Sequence, residues 1–571
     1  MRVRIISWFT AAVFLALSLA ILNLQLIRGS RFKELSDKNC IRLLSQNGSR
    51  GRILDRRGEA IVSNYISYDL MLLPRGDGLV DRGIPAIAGI LDSEPKKIQK
   101  LLDGEHASSS VPVAVARDIG LKKAIALEEK KLDMDNIIIQ PNPLRSYPYG
   151  GLACHLIGHL NEIDRWRLTK LSDYGYKIKD VVGYSGVEER YDYYLRQEEG
   201  GLSVEVDNRG KFVRVLGFRP GRDGKDIQLT LDLRIQKIIE ECLGDEEGCI
   251  IIMDPANGEV IAMASRPKFN PEAFVKKRNS EISRLFKDRR SPFLNRAISG
   301  CYPAASIFKL VVASAALEKD KINLGSTFIC NGSTRVGRKE FKCWDIHNQQ
   351  DILEAITHSC DVFFYRTGLL IGPDAISEYA LKFGFSKATG IDLPYEEGGL
   401  VPNPFWKKAH RFKNWFDGDT ANFSIGQGDL LVTPLQVTRM MAIFANGGSL
   451  VTPYTIMAVN NQDISGTRRK ITNLGLKPKT IETIRRGLRK VVAEPSGTAN
   501  NLCGLPVTVA GKTGTAQVSR GQPHGWFAGF FPYERPRFVI CVFLENGGSG
   551  HRAAAVARQV IEGMAQGDLL R

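Results

Sequence analysis

No internal repeat and no low-complexity stretch interrupts the 571 residues, which excludes a solenoid or a disordered linker protein. Beyond residue 27 no run is long and apolar enough to cross a bilayer, so a polytopic membrane protein is excluded too. The eight histidines include no HExxH spacing. The ten cysteines, spread from Cys40 to Cys541, form no dense framework of the small secreted kind; most read as buried hydrophobes. Basic residues exceed acidic ones, 78 to 62, for a net charge of +16. Yet they are dispersed and no zinc-finger, RRM or other nucleic-acid motif accompanies them, so nucleic acid is not the expected partner. Anionic lipid headgroups or an acidic cell wall suit the excess better.

What the chain does contain is size for two or three folded units, with 43% hydrophobic and 25% charged residues. Ile5 to Ile27 is free of charge and long enough to span the hydrocarbon core. It exceeds the apolar region of a cleavable signal and ends in Leu26-Ile27-Arg28 rather than a small-residue cleavage site. The expectation is one uncleaved anchor with the short N-terminal tail inside. The reading therefore divides the chain into a tail and anchor (1–30), a mixed region (31–225) and a C-terminal domain (226–571), with a Gly- and charge-rich hinge at Gly221–Lys225.

In the mixed region, Tyr184–Glu188 should open a helix running through Tyr191 and Leu195. In the C-terminal domain, Leu233–Leu243 is amphipathic and Cys249–Met253 a buried strand. Asp254-Pro-Ala-Asn-Gly258 turns into a strand over Glu259–Ala264. Val507–Val518, Gly525–Phe531 and Arg537–Leu544 read as three more strands, closed by a helix from His551 to Ala565. This order predicts an α+β domain, an antiparallel sheet flanked by helices.

Three short segments carry candidate chemistry. Ser306 precedes Lys309 by one helical turn, ahead of an apolar run with helical spacing. A helix N-terminus would favour negative charge developing at the serine. Ser-x-x-Lys alone is weak: it recurs at Ser30/Lys33, Ser93/Lys96 and Ser265/Lys268. A lysine acts as base only when neutral, and Lys512 is the charge expected to press the proton off Lys309. Ser359-Cys360-Asp361 offers a second hydroxyl to relay a proton. Lys512-Thr513-Gly514-Thr515 lies in an alternating strand, where Gly511 and Gly514 are expected to leave an edge bare for an extended peptide. A nucleophile, a base, a proton relay and an anion clamp in this order form the signature of penicillin-recognising serine acyltransferases.

With these motifs, the anchor, Arg50–Gly58, Tyr184–Glu188, Asp254–Gly258, Thr420–Gln436 and His524–Gly529, the chain resembles the class B penicillin-binding proteins of the elongation type over nearly its whole length. The resemblance implies an extended pedestal or dimerisation domain followed by a serine β-lactamase-like transpeptidase domain. It implies a peptidoglycan D,D-transpeptidase of cell elongation, inhibited by β-lactams, that needs no cofactor for its chemistry. Ser306 would be acylated with Lys309 as base, and Ser359 and Asp361 would form the second motif. Lys512, Thr513, Gly514 and Thr515 would hold the donor stem peptide, and the Ser306 and Thr515 amides the oxyanion. Asp361 departs from the asparagine common in the wider superfamily. The implied location is the bacterial inner membrane with the catalytic domain periplasmic. The implied partners are a polytopic rod-shape glycosyltransferase and a morphogenesis scaffold.

Cys330, Cys343, His347 and Cys360 suit tetrahedral zinc, and the resemblance implies a metal there; a Cys330–Cys343 disulfide or ordinary thiols are the alternatives. Three rival functions stay open: a β-lactamase or antibiotic sensor, disfavoured by the lack of Glu-x-x-x-Asn between the second and third motifs; a septal cousin; and a non-catalytic scaffold.

Overall fold

The computed structural model describes all residues except 1, 73–78, 103–112, 132–133, 135–136, 207–211, 520 and 571. Helix α1 (Arg2–Leu22) continues as a π-helical turn over Asn23–Ile27. Together they form the one described segment apolar and long enough to cross a membrane, Arg4–Ile27.

Two compact units divide the chain. The first comprises Met1–Gly51, Asn64–Arg145 and Arg196–Gly224; the second Arg52–Ser63, Ser146–Leu195 and Lys225–Arg571. The first has its own small core of Leu70, Leu72, Ile84, Ile87, Leu127 and Ile137. It also holds an antiparallel three-stranded sheet, Ile41–Asn47, Glu199–Val206 and Phe212–Arg219.

The second unit is built on a five-stranded antiparallel sheet. Its members in chain order are β1 (Gly248–Met253), β2 (Val260–Arg266), β3 (Ala510–Ala516), β4 (His524–Phe531) and β5 (Phe538–Leu544). The spatial order is β2-β1-β5-β4-β3, which leaves β3 on an edge. Every residue of β1, β2, β4 and β5 is buried. Both faces are therefore covered, and the strands read as continuous apolar runs such as Phe538-Val-Ile-Cys-Val-Phe-Leu544 rather than as alternation. Helices α2 (Leu233–Leu243), α6 (Pro434–Ala445) and α8 (Gly550–Gln566) pack on this sheet, and α7 (Pro478–Ala493) packs on β3. The remaining helices of the site are α3 (Lys309–Glu318), α4 (Ile352–Thr357) and α5 (Asp361–Lys382).

Local signals explain the helix starts. Asp232 accepts from the Arg234 amide to cap α2, Ser549 from the Arg552 amide to cap α8, and Thr433 with Gln436 forms a capping box on α6. The Arg50–Gly58 turn is fixed to α2 by Asp55, whose Oδ1 accepts the Arg57 and Glu59 amides at 2.8 Å each and whose Oδ2 accepts the Leu233 amide at 3.3 Å.

One expected element is corrected. The helix from Tyr184 breaks at Tyr191 into Gly186–Arg190 and Asp192–Leu195. Tyr191 turns its hydroxyl to Asp392 at 2.9 Å, while the Asp192 carboxylate accepts the Gly183 amide at 2.9 Å and the Tyr176 hydroxyl at 2.5 Å. Tertiary hydrogen bonds outweigh helix continuation there.

Candidate active site

Ser306 lies in a 3-10 turn, Ala305–Ile307, that leads directly into the α-helix beginning at Lys309, near a helix N-terminus as expected. The turn depends on Ala305, which adopts a left-handed φ of 51°. For a residue with a Cβ that conformation is costly and persists only where its surroundings impose it. Here the Ala305 amide donates to the Gly426 carbonyl at 2.9 Å, and a Cβ on Gly426 would come within 2.1 Å of the Ala305 carbonyl oxygen. The Ser-Ile-Gly-Gln-Gly segment thus has a glycine where the nucleophile turn touches it. From the other side the buried Trp526 indole donates to the Pro303 carbonyl at 3.1 Å.

Lys309 is fully buried at the head of α3, a helix apolar all round and buried from Lys309 to Ala316. Its ammonium donates to the Ser359 carbonyl (2.8 Å), the Ser359 hydroxyl (3.2 Å) and Asp361 Oδ1 (2.7 Å). Three donors meet three acceptors, so the first and second motifs are locked together. Ser359 is itself left-handed, at φ 55°, in the link between α4 and α5. Two left-handed non-glycine residues, Ala305 and Ser359, therefore lie at the two segments that carry the candidate nucleophile and relay.

Lys512 is also fully buried, and its Nζ donates to the Thr513 carbonyl at 3.3 Å. Burial, followed by the charge of Lys309, holds its ammonium well below the ordinary lysine range; Asp361 pulls the other way. The sequence reading cast Lys512 as the charge that perturbs Lys309. In the structure Lys309 carries a carboxylate partner and Lys512 is the lysine whose proton is destabilised.

The strand of Gly511 and Gly514 lies on a sheet edge as expected, and the two glycines have a further cause. A Cβ on Gly511 would lie 2.6 Å from the Phe527 ring, and one on Gly514 would lie 3.3 Å from both Ala305 and Ile307. They admit neighbouring side chains, and Gly514 lets β3 close on the nucleophile turn. Strand pleating separates the third motif into two faces. Lys512 and Gly514 share one; Thr513 and Thr515 share the other. Only Thr515 is exposed. The Thr515 hydroxyl accepts the Gly550 amide at 3.0 Å, and the Thr513 hydroxyl donates to Thr498 at 2.7 Å. Thr498 and Trp526 were not singled out as site residues. Thr498 lies in Ser496-Gly497-Thr498, a turn-like run too short to point anywhere by itself.

Cys330, Cys343, His347 and Cys360 converge, with their ligand atoms within 4.8 Å of one another. His347 Nδ1 stands 3.6 Å from the Cys330 sulfur and 3.5 Å from that of Cys343. All three cysteines are free thiols, so no disulfide joins Cys330 to Cys343. The Cys343 thiol is pulled down strongly, first by the Cys360 thiol and then by His347 and backbone amides. Those amides are of Asp345 and Val362, and the Asp361 amide also donates to the Cys343 sulfur at 3.2 Å. Three sulfurs and one imidazole, with one sulfur favoured as thiolate, fit a tetrahedral zinc ion. Cys360 also caps α5, its sulfur accepting the Phe363 amide at 3.5 Å. The cluster is therefore continuous with the backbone that presents Ser359 and Asp361.

The penicillin binding protein transpeptidase domain matches residues 248–562, and the penicillin-binding protein dimerisation domain matches residues 45–229. Peptidoglycan D,D-transpeptidase MrdA of Escherichia coli (strain K12) is 30% identical, covering 96% of this chain and 91% of its own. The solved complex between penicillin-binding protein PBP2 and MreC from Helicobacter pylori contains a chain with a TM-score of 0.82 and 27% identity, covering 92% of this chain and 99% of that one. A chain from a peptidoglycan synthase complex that coordinates polymerisation and crosslinking gives a TM-score of 0.73 at 28% identity, covering 98% of each. With both domains matched and the likeness to MrdA running nearly end to end, the chain belongs to the penicillin-binding protein family, as an elongation-type penicillin-binding protein 2.

Proposed function

We propose that the chain cross-links peptidoglycan through an acyl-enzyme on Ser306. The observation that carries this reading is the buried Lys309 bound at once to Ser359 and Asp361, one helical turn from a half-buried serine. The Ser306 hydroxyl attacks the carbonyl of the penultimate D-Ala of a stem peptide. In a concerted relay the Lys309 ammonium gives a proton to the Ser359 hydroxyl, which gives its own to the amine of the departing terminal D-Ala, while Lys309 takes up the Ser306 proton, leaving an ester. An amine of a neighbouring stem attacks that ester, forms the cross-link and returns the proton to Ser306. The Ser306 and Thr515 amides receive the oxyanion, while the Thr513 and Thr515 hydroxyls, on one face of β3, receive the terminal carboxylate and Lys512 lies behind them on the other face. Penicillin stops at the ester.

Cys330, Cys343, His347 and Cys360 would hold a zinc ion, which would supply structural cross-linking. This chain's part is to carry that rigidity through the Asp361 amide to the second motif. The apolar N-terminal helix anchors the chain with its tail cytoplasmic and the catalytic unit periplasmic. Residues 31–225 serve as the pedestal that docks a polymerising glycosyltransferase and a morphogenesis scaffold. Support for these partners is the likeness to chains solved with MreC and within a synthase complex.

The test is incubation of the full-length chain with glycan strands bearing D-Ala-D-Ala stems. One D-Ala released per cross-link formed, abolished in Ser306→Ala, is expected. Cross-linking that survives Ser306→Ala would overturn the reading.

A further inference from the structure

Phe412 and Phe405 are the most exposed large apolar side chains among the described residues, at 87% and 80%. They exceed even the side chains of the membrane-length helix. Both belong to one segment, Pro404–Phe416, which begins as a short helix over Pro404–Arg411. Phe416, also exposed, ends it. Phe412 holds a left-handed φ of 54°. A bulky residue in that conformation with its ring in water gains nothing from packing to offset the strain, and such outliers cluster at ligand sites.

The same segment is basic. Between Gly398 and Phe416 the chain has Lys407, Lys408, Arg411 and Lys413 and no acidic residue. Lys407 pairs with Asp419 and Arg411 with Asp429, both outside the segment. Lys408 and Lys413 are exposed and have no ion pair among the described residues. Three exposed aromatic rings thus stand beside two cations, Lys408 and Lys413, that have no ion pair among the described residues.

The patch is tied to the nucleophile helix. The Trp415 indole donates to Thr420 at 2.8 Å and its ring lies 6.1 Å from Phe423. Phe423 in turn stacks on Phe308, 5.3 Å between centroids, next to Lys309. A ligand resting on the segment would therefore lie against an element whose other side supports the catalytic centre.

We propose that Pro404–Phe416 is a docking face for the peptidoglycan strand, an anionic glycopeptide. This rests on the transpeptidase reading above, because it assigns that site a polymer rather than a free peptide. The C–H faces of the sugar rings lie on Phe405 and Phe412, and carboxylates of the stem peptides meet Lys408 and Lys413. None of these four side chains belongs to the three motifs assigned to acylation by penicillin. The segment thus discriminates polymer from drug.

The experiment uses the full-length chain in nonionic detergent, with the paired variants Phe405→Ser/Phe412→Ser and Lys408→Gln/Lys413→Gln. All side chains changed are exposed, and penicillin acylation of Ser306 is measured on each protein as the check on folding. The probes are soluble, uncross-linked strands carrying D-Ala-D-Ala stems, and vesicles of phosphatidylglycerol. Each pair is expected to weaken strand binding at least fivefold while acylation stays within twofold of the parent. The lysine effect should vanish in high salt, where exposed charges are screened. Strand binding equal to the parent in both variants overturns the proposal. So does a loss confined to the vesicles, which would make the segment a bilayer contact. Absent acylation in all three proteins would instead sink the transpeptidase reading and leave the binding comparison legible.

Discussion

Replacing Asp361 by Asn keeps the shape of the second motif and removes only its charge. Lys309 has no exposed side-chain surface and Asp361 is 17% exposed, with 2.7 Å between Nζ and Oδ1. Removing one member of a buried pair costs about 3–5 kcal/mol, because a buried ammonium is left without its counter-charge. The middle of that range is about 4 kcal/mol. For a unit larger than 250 residues this is a fall in Tm of about 8 °C, at roughly 2 °C per kcal/mol. Differential scanning fluorimetry of the full chain reads it directly. The reasoning makes a sharper demand of the double variant. Adding Lys309→Met to Asp361→Asn removes the stranded charge, so most of the lost Tm should return even though acylation is abolished. A shift below 2 °C for Asp361→Asn, or no recovery in the double variant, would refute the view that these motifs are held together by this pair.

Three further outcomes follow from the geometry. Thr513→Val breaks the hydroxyl contact to Thr498 and should slow penicillin acylation about tenfold, as expected for loss of a bond worth about 1.4 kcal/mol, with Thr513→Ser retaining most of the rate; stopped-flow acylation checks it. Burial holds His155 down to about 4, with its Nε2 donating to the Pro292 carbonyl at 2.7 Å. The unfolded chain therefore binds the extra proton between that value and about 6.5, and stability rises with pH across this window. His155 should contribute about 3 kcal/mol that is present at pH 7 and lost by about pH 4, and His155→Gln should flatten the pH dependence of Tm. The purified chain should contain one zinc per protein by elemental analysis, and Cys343→Ser should lose it together with several degrees of Tm; a metal-free parent with unchanged Tm under chelation would contradict the zinc assignment.

The parts legible in the sequence are those with a local signal. Helix α2, the strands after Gly248, the terminal helix and the Cys/His spacing follow from periodicity, turn residues and donor chemistry. What escaped is what depends on distant partners. The left-handed Ala305 is imposed by Gly426, more than a hundred residues away. Nothing in Tyr184–Leu195 announces that Tyr191 will leave the helix for Asp392. Gly511 and Gly514 were visible as glycines, but their reason lies in Phe527, Ala305 and Ile307. The two lysines were recognised, yet their electrostatic roles turned on which one faces the carboxylate, and Asp361 settles that only in three dimensions.

The most direct test of the account is intact-mass spectrometry of the full-length chain after penicillin, with peptide mapping of the adduct. The prediction is a stable gain of one drug molecule, mapped to Ser306 and absent from Ser306→Ala. No adduct on folded protein, or an adduct on another residue, would contradict the assignment of Ser306 and with it the acyl-enzyme mechanism.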